Sequence, residues 1–164
     1  MEKFEIKEAG TKGKGAYATA KILKGELIVE FTGEKLTRDE IHQRIANGKE
    51  NIDDPLQIDD DIFLDIDNSA YYFNHSCEPN SAIKGKSELI AIKEIRIGEE
   101  ITYDYSATVG TNITHWTMGC KCGTPNCRHA IGNVTTIPKE QLEKYLSAGG
   151  VQDYVRKQLK ISNP

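Results

Sequence analysis

Asn74-His-Ser-Cys-Glu-Pro-Asn80, directly after the aromatic run Tyr71-Tyr-Phe73, sets hydrogen-bonding side chains and a thiol just past a cluster of rings. Taken alone it reads as a capped turn beneath an aromatic cluster. Further along, Gly98-Glu-Glu-Ile-Thr-Tyr-Asp-Tyr105 places Tyr103 and Tyr105 on one side of an expected strand. By themselves these tyrosines are core-edge residues with their hydroxyls in water. Upstream, Lys12-Gly-Lys-Gly15 falls between two expected strands, and its alternate glycines let backbone approach a ligand closely. It is no dinucleotide fingerprint, because no helix follows and the third glycine is missing. In isolation it is a hairpin turn.

The cysteines add a second constellation. Cys120-Lys-Cys122-Gly-Thr-Pro-Asn-Cys127 groups three thiols, while Cys77 stands apart. Cys120 and Cys122 are too close to bridge comfortably, so a disulfide pair is the weaker reading. Closely spaced thiolates around a Gly/Pro turn suit tetrahedral zinc, which needs a fourth ligand. Cys77, His115 and His129 are the candidates, and cysteine arithmetic does not choose among them.

Around these motifs, short β-prone runs dominate: Phe4–Ile6, Ala16–Ala18, Leu27–Phe31, Ile62–Ile66, Leu89–Ile92 and Ile101–Tyr103. The capping box Thr37-Arg-Asp-Glu40 starts a helix that carries Ile41 and Ile45 and stops at Gly48. Pro138 opens another, ending at Gly149-Gly150, and a short amphipathic helix over Val151 to Leu159 follows. The chain of 164 residues, 38% hydrophobic and 28% charged, has the balance of one soluble globular domain. Its apolar runs are too short to span a bilayer, and the N-terminus is charged from Glu2 onward, so an intracellular protein without membrane or secretory segments is expected. A net charge of -4 speaks against direct nucleic-acid binding. The charge is uneven, however. From Glu50 to Ile83 there is no Lys or Arg, while Glu50, Asp53, Asp54, Asp59, Asp60, Asp61, Asp65, Asp67 and Glu78 fall there. That stretch is either a solvated acidic loop or a surface for a cationic partner.

In chain order, Gly13-Lys-Gly15, Glu30-Phe-Thr-Gly-Glu34, the Asn74–Asn80 and Gly98–Tyr105 segments and the Cys120–Cys127 run closely resemble the SET-domain protein-lysine methyltransferases, the last piece resembling their post-SET zinc element. The resemblance implies a mainly β fold, a β-clip of short strands with a knot-like crossing and a post-SET zinc segment, to which the helix signals above add one short inserted helix and a helical C-terminal tail. It divides the chain into 1–117, 118–132 and 133–164. It also implies S-adenosylmethionine as methyl donor, held by Lys12, Gly13, Lys14, Gly15, Tyr72, Asn74, His75 and Tyr105, with Trp116 or Met118 beside the adenine. Cys77 would join Cys120, Cys122 and Cys127 on one structural zinc ion.

The implied acceptor is a lysine amine of a basic protein such as a histone tail, and residues 50 to 67 would form a wall of its groove. A lysine of pKa about 10.4 is neutral about once in 2,500 molecules at pH 7, a handicap of roughly 4.6 kcal/mol. A closed apolar channel and a nearby sulfonium charge reduce it, leaving in-line alignment as the remaining task. The family role of Tyr105 is at the transferred methyl, and Tyr103 falls where the degree of methylation is set, here to mono- or dimethylation. The chain departs from the family at Asp53-Asp-Pro-Leu56, where many members carry a channel tyrosine, and at Tyr71, where an arginine often stands. Two other classes compete: a non-catalytic, zinc-stabilised module that binds a basic peptide, and a Cys/His metalloenzyme whose zinc keeps an open position.

Overall fold

The computed structural model describes residues 2–51 and 54–162, so Asp53 of the acidic stretch lies outside the described residues. In chain order the elements are β1 (Phe4–Glu8), β2 (Lys14–Ala18), β3 (Leu27–Glu30), β4 (Gly33–Thr37), α1 (Arg38–Ala46), β5 (Leu56–Asp59), β6 (Ile62–Ile66), β7 (Asn74–His75), β8 (Ser81–Lys84), β9 (Glu88–Ala91), β10 (Thr102–Tyr103), β11 (Met118–Gly119), β12 (Ala130–Ile131), α2 (Lys139–Ser147) and α3 (Asp153–Gln158). They form small sheets: the β1-β2 hairpin, β3-β9-β8, β4-β6-β5, the β11-β12 pair and the parallel β10-β7 pair. The expected mainly β fold with one inserted helix and a helical tail is therefore present.

Local chemistry explains most of these boundaries. The Thr37 hydroxyl accepts from Glu40 N while the Glu40 carboxylate accepts from Thr37 N, so the capping box closes both ways, and Ile41 is buried beneath it. Gly48 ends the helix at φ +65°. In the tail, α2, α3 and the turn between them bury Tyr145, Val151, Tyr154 and Val155 against Ala107, Val134 and Ile137. α3 is shorter than the expected Val151–Leu159 span, although Val151 and Val155 do face inward.

β4, β5, β8 and the two-residue strands β7, β11 and β12 are not among the expected strands. β4 buries only Leu36, so its polar sequence carries no alternation. β5 lies inside the acidic stretch, yet Leu56, Gln57 and Ile58 are all buried.

The main core joins Phe31, Phe73, Leu89, Ile22, Ile95 and Ile101. Phe4 meets Phe73 edge-on at 5.0 Å, and Phe31 meets Tyr103 edge-on at 5.8 Å. At its edge the two motifs run side by side in parallel, with Thr102 opposite Asn74 and Tyr103 opposite His75. Asn80 locks this arrangement. Its amide donates to Glu100 O at 2.8 Å, and its side-chain oxygen accepts from Thr102 N at 2.9 Å. No helix among the described residues is long and apolar enough to cross a membrane.

Candidate functional site

A cavity of about 630 Å³ opens beside the β7-β10 pair. Of the residues singled out from sequence, Lys12, Lys14, Tyr72, Asn74, Tyr103, Tyr105 and Trp116 line it, whereas Gly13, Gly15, His75 and Met118 do not. Tyr103 and Tyr105 stand with ring centres 4.8 Å apart, but not as alternate residues of one strand. Asp104 ends the strand, its carboxylate accepting from Ser106 N and starting the turn Tyr105–Thr108. The Tyr105 hydroxyl donates to Phe73 O at 2.8 Å, which aims it along the edge of β7. Burial holds the Tyr103 phenol well above its ordinary pKa, with Tyr105 adding to the effect, so Tyr103 is a neutral hydroxyl and not a base.

The glycine-rich loop is held by a side chain that sequence reasoning passed over. Glu100 pairs with Lys12 and accepts from the Asn74 amide at 2.8 Å. The same amide donates to Lys14 O at 2.9 Å, so Asn74 fastens the loop to β7. A Cβ on Gly15 would lie 2.8 Å from Glu100 Oε1 and 2.9 Å from Asn74 Nδ2, so any other residue here must displace one of these side chains. Gly13 instead has φ +76° and open space beside it, as a loop needs where a ligand is to approach backbone. Lys14 Nζ lies 5.6 Å from the Tyr72 ring centre.

Behind Tyr105 sits a buried polar network, also unforeseen. Asp104 accepts from Arg128 at 2.5 Å and from the Tyr145 hydroxyl at 3.0 Å. Burial pushes its carboxyl up, and Arg128 opposes the push. His75 is packed between Tyr105 and Cys77 rather than facing the cavity. Its Nδ1 accepts from Tyr105 N at 3.2 Å, so the ring proton sits on Nε2, 3.4 Å from Cys77 Sγ. Burial above all, with Arg128 nearby, lowers its pKa to about 3 and keeps it neutral. Asp104 lay between two noticed tyrosines, but nothing in the sequence connects it to Tyr145.

The sulfurs of Cys77, Cys120, Cys122 and Cys127 lie within 4.8 Å of one another. Cys120 Sγ is 3.7 Å from both Cys77 Sγ and Cys127 Sγ. A zinc ion with four sulfurs at about 2.3 Å requires sulfur–sulfur edges of about 3.8 Å, so the residues fit a closed thiolate site. His115 lines the cavity instead, and His129 contributes its carbonyl to Cys120 N. The open Cys/His metalloenzyme loses its basis, because the fourth position is a thiolate.

Four carboxylates of the acidic stretch are paired within the chain. Asp59, Asp60, Asp61 and Asp65 pair with Lys86, Lys157, Arg38 and Arg44. Within it, Asp54 is the acidic residue that reaches the cavity, next to Tyr71. Of the stretch expected as a groove wall, Asp54, Pro55, Leu56, Gln57, Phe63 and Ile66 line the cavity, and Asp54 alone of these is charged. Facing them, Arg38, Ile41, His42 and Ile45 present one side of α1 to the cavity at helical spacing, an arrangement the capping box alone did not reveal.

Comparison with known proteins matches residues 13–106 to the family model described as SET domain. Histone-lysine N-methyltransferase ash1 of Drosophila melanogaster is 34% identical over 133 residues, covering 74% of this chain and 6% of that protein. The human histone-lysine N-methyltransferase that is H3 lysine-36 specific is 31% identical over 151 residues, covering 84% of this chain and 5% of the relative. The chain thus spans only a small fraction of these relatives. Among solved structures, the methyltransferase domain of human histone-lysine N-methyltransferase SETMAR aligns with a TM-score of 0.64 at 26% identity, over 79% of this chain and 58% of that one.

Proposed function

Because this chain belongs to the SET-domain family, we propose that it transfers a methyl group from S-adenosylmethionine to a lysine ε-amine of a basic protein. The observation that carries the reading is the junction of Tyr103, Tyr105 and Asn74 with the Lys12–Lys14 loop at one cavity. Its volume of about 630 Å³ falls in the range of small-molecule sites. Lys12, Lys14, Tyr72 and Trp116 give it cationic and aromatic groups, the chemistry an amino-acid carboxylate and an adenine would meet. When bound, the donor supplies an electrophilic methyl on a positively charged sulfur.

The chain's residues have two tasks. First, the amine must lose its proton and stay neutral, and the apolar lining of Ile41, Ile45, Leu56, Phe63 and Ile66 disfavours the ammonium form. Second, the nitrogen lone pair must point along the line of the bond being broken. Tyr105, fixed to Phe73 O, and Tyr103, fixed by the edge of Phe31, would set that line. Neither Tyr103, a neutral hydroxyl, nor His75, which is turned toward Cys77, is set to act as a general base. The proton would leave to water.

In this reading Cys77, Cys120, Cys122 and Cys127 hold structural zinc, and residues 1–117, 118–132 and 133–164 are the SET domain, its zinc segment and a helical extension. The thiolate cluster and the Tyr145 cluster each draw on residues before 118, Cys77 in one and Ala107 in the other, so the three parts pack on one another. A histone-like tail, mono- or dimethylated, is the finer expectation for the acceptor.

The test is intact-protein mass spectrometry after incubation with S-adenosylmethionine and core histones mixed with basic bacterial proteins. Mass steps of single methyl groups, abolished in Tyr105→Phe, are expected. Absence of both turnover and donor binding in the native protein would replace this reading with the peptide-binding module.

A further inference from the structure

The C-terminal helix α3 does not reach the cavity, yet its polar side chains are spent on the backs of two cavity walls. One wall is β5, through Leu56 and Gln57; the other is the loop carrying Thr108, Val109, Asn112 and Ile113. Gln158 ties the loop to Asp60, the residue that follows β5. Its carbonyl oxygen accepts from Thr111 N at 2.7 Å and Thr111 Oγ1 at 3.1 Å, while its amide donates to Asp60 Oδ1 at 2.6 Å. The Tyr154 hydroxyl donates to Thr108 O at 2.6 Å. Just before the helix, the fully buried Gln152 donates to Gln57 O at 2.9 Å and Lys86 O at 2.6 Å. Gln57 returns the connection by accepting from Gly110 N at 3.2 Å.

The loop also lies flat on the helix. A Cβ on Gly110 would come within 2.6 Å of Gln158 Oε1 and 3.0 Å of Tyr154 Cε2. Buried amides that satisfy backbone groups from two separate segments fix the distance between those segments. The other end of the cavity is tied elsewhere, through Glu100 to Lys12 and Asn74.

We propose that α3 is a brace that sets the spacing of the β5 wall and the 108–113 loop, with Gln158 and Tyr154 as positioning residues for the lysine-bearing segment that enters between them. The assignment rests on the methyltransferase reading, and it makes the tail a determinant of acceptor binding and not of donor binding.

Gln158→Glu sets a carboxylate against Asp60 and removes the amide donor. In this variant, amide hydrogen exchange over residues 108–113 should accelerate without any donor present, and KM for core histones should rise about tenfold with kcat and donor Kd within about twofold of the native protein. Adding Asp60→Asn restores a donor–acceptor pair in reversed polarity, and both readouts should return toward native values. A role in the general fold alone would be rescued too, but it would not raise KM while leaving kcat and donor Kd unchanged. Gly110→Ala, which wedges the loop from the helix without a charge change, should reproduce the exchange and KM effects and decides the matter if Gln158→Glu does not fold.

Unchanged exchange in Gln158→Glu or Gly110→Ala overturns the brace, as does faster exchange with unaltered KM. If the native protein methylates nothing, the methyltransferase reading falls, and with it the acceptor role. The exchange result then still decides whether α3 orders the loop.

Discussion

Gly15 shows how much a missing side chain can carry. Its Cα faces Glu100 and Asn74 so closely that a methyl group must push one of them aside, and both also hold the loop that carries Lys12 and Lys14. Gly15→Ala should therefore weaken S-adenosylmethionine binding by about tenfold or more with only a small change in melting temperature, read by titration calorimetry and thermal denaturation. An unchanged affinity would detach the loop from donor binding. At Tyr103 the hydroxyl is the variable, because the ring is clamped by Phe31 and Tyr105. Tyr103→Phe should raise the share of higher methylated product in mass spectra of the modified lysine, and an unaltered product ratio would remove Tyr103 from that role. The loop glycines, the Asn-His pair and the tyrosines were legible because each is written within a short motif. Glu100 was not, since its partners Lys12 and Asn74 lie far from it in the chain. Gly15 and Asn74 were recognised, but their joint dependence on Glu100 appears only once the strands are assembled.

Among the elements, α1 was the easiest to foresee and rests on a local device. Removing the cap in Thr37→Ala should cost about 1 kcal/mol in a urea melt. A cost near zero would mean that burial of Ile41 alone holds the first turn. The thiolate segment depends on distance instead. Three ligands arrive together, but Cys77 comes from the turn after β7, next to His75 and Arg128. Cys77→Ser should lower zinc content in elemental analysis and loosen β11 and β12, and an undiminished zinc content would remove Cys77 from the ligand set. Sequence alone kept His115 and His129 in contention, since proximity along the chain favoured them. β5 shows the opposite failure: its acidic flanks suggested a solvated loop or a charged groove, while pairing with β6 buries Leu56 and Gln57 and the nearby carboxylates find cations within the chain.

Across the whole molecule, three buried clusters meet at one ion pair. Asp104 belongs to the tyrosine motif, Arg128 to the thiolate segment and Tyr145 to α2. A buried carboxylate stripped of its guanidinium is expensive, so Arg128→Ala should lower unfolding free energy by about 3 kcal/mol or more. Arg128→Ala combined with Asp104→Ala should cost less than the separate changes added together, because the stranded charge goes too. Simple additivity in denaturant unfolding would show that the pair is not coupled. No motif announced this junction. Its members are ordinary residues whose meaning is set by packing.

The order of the cysteines has a consequence for synthesis. Cys77 leaves the ribosome 43 residues before Cys120, its first sulfur neighbour. During that interval the nascent chain holds an unpartnered thiol in the segment that will lie against Tyr105, and neither the metal clasp nor the Arg128 clamp exists. The wall around Tyr105 would be assembled late and nearly at once, so a stalled or prematurely released chain ending before Cys127 should be a substrate for quality control.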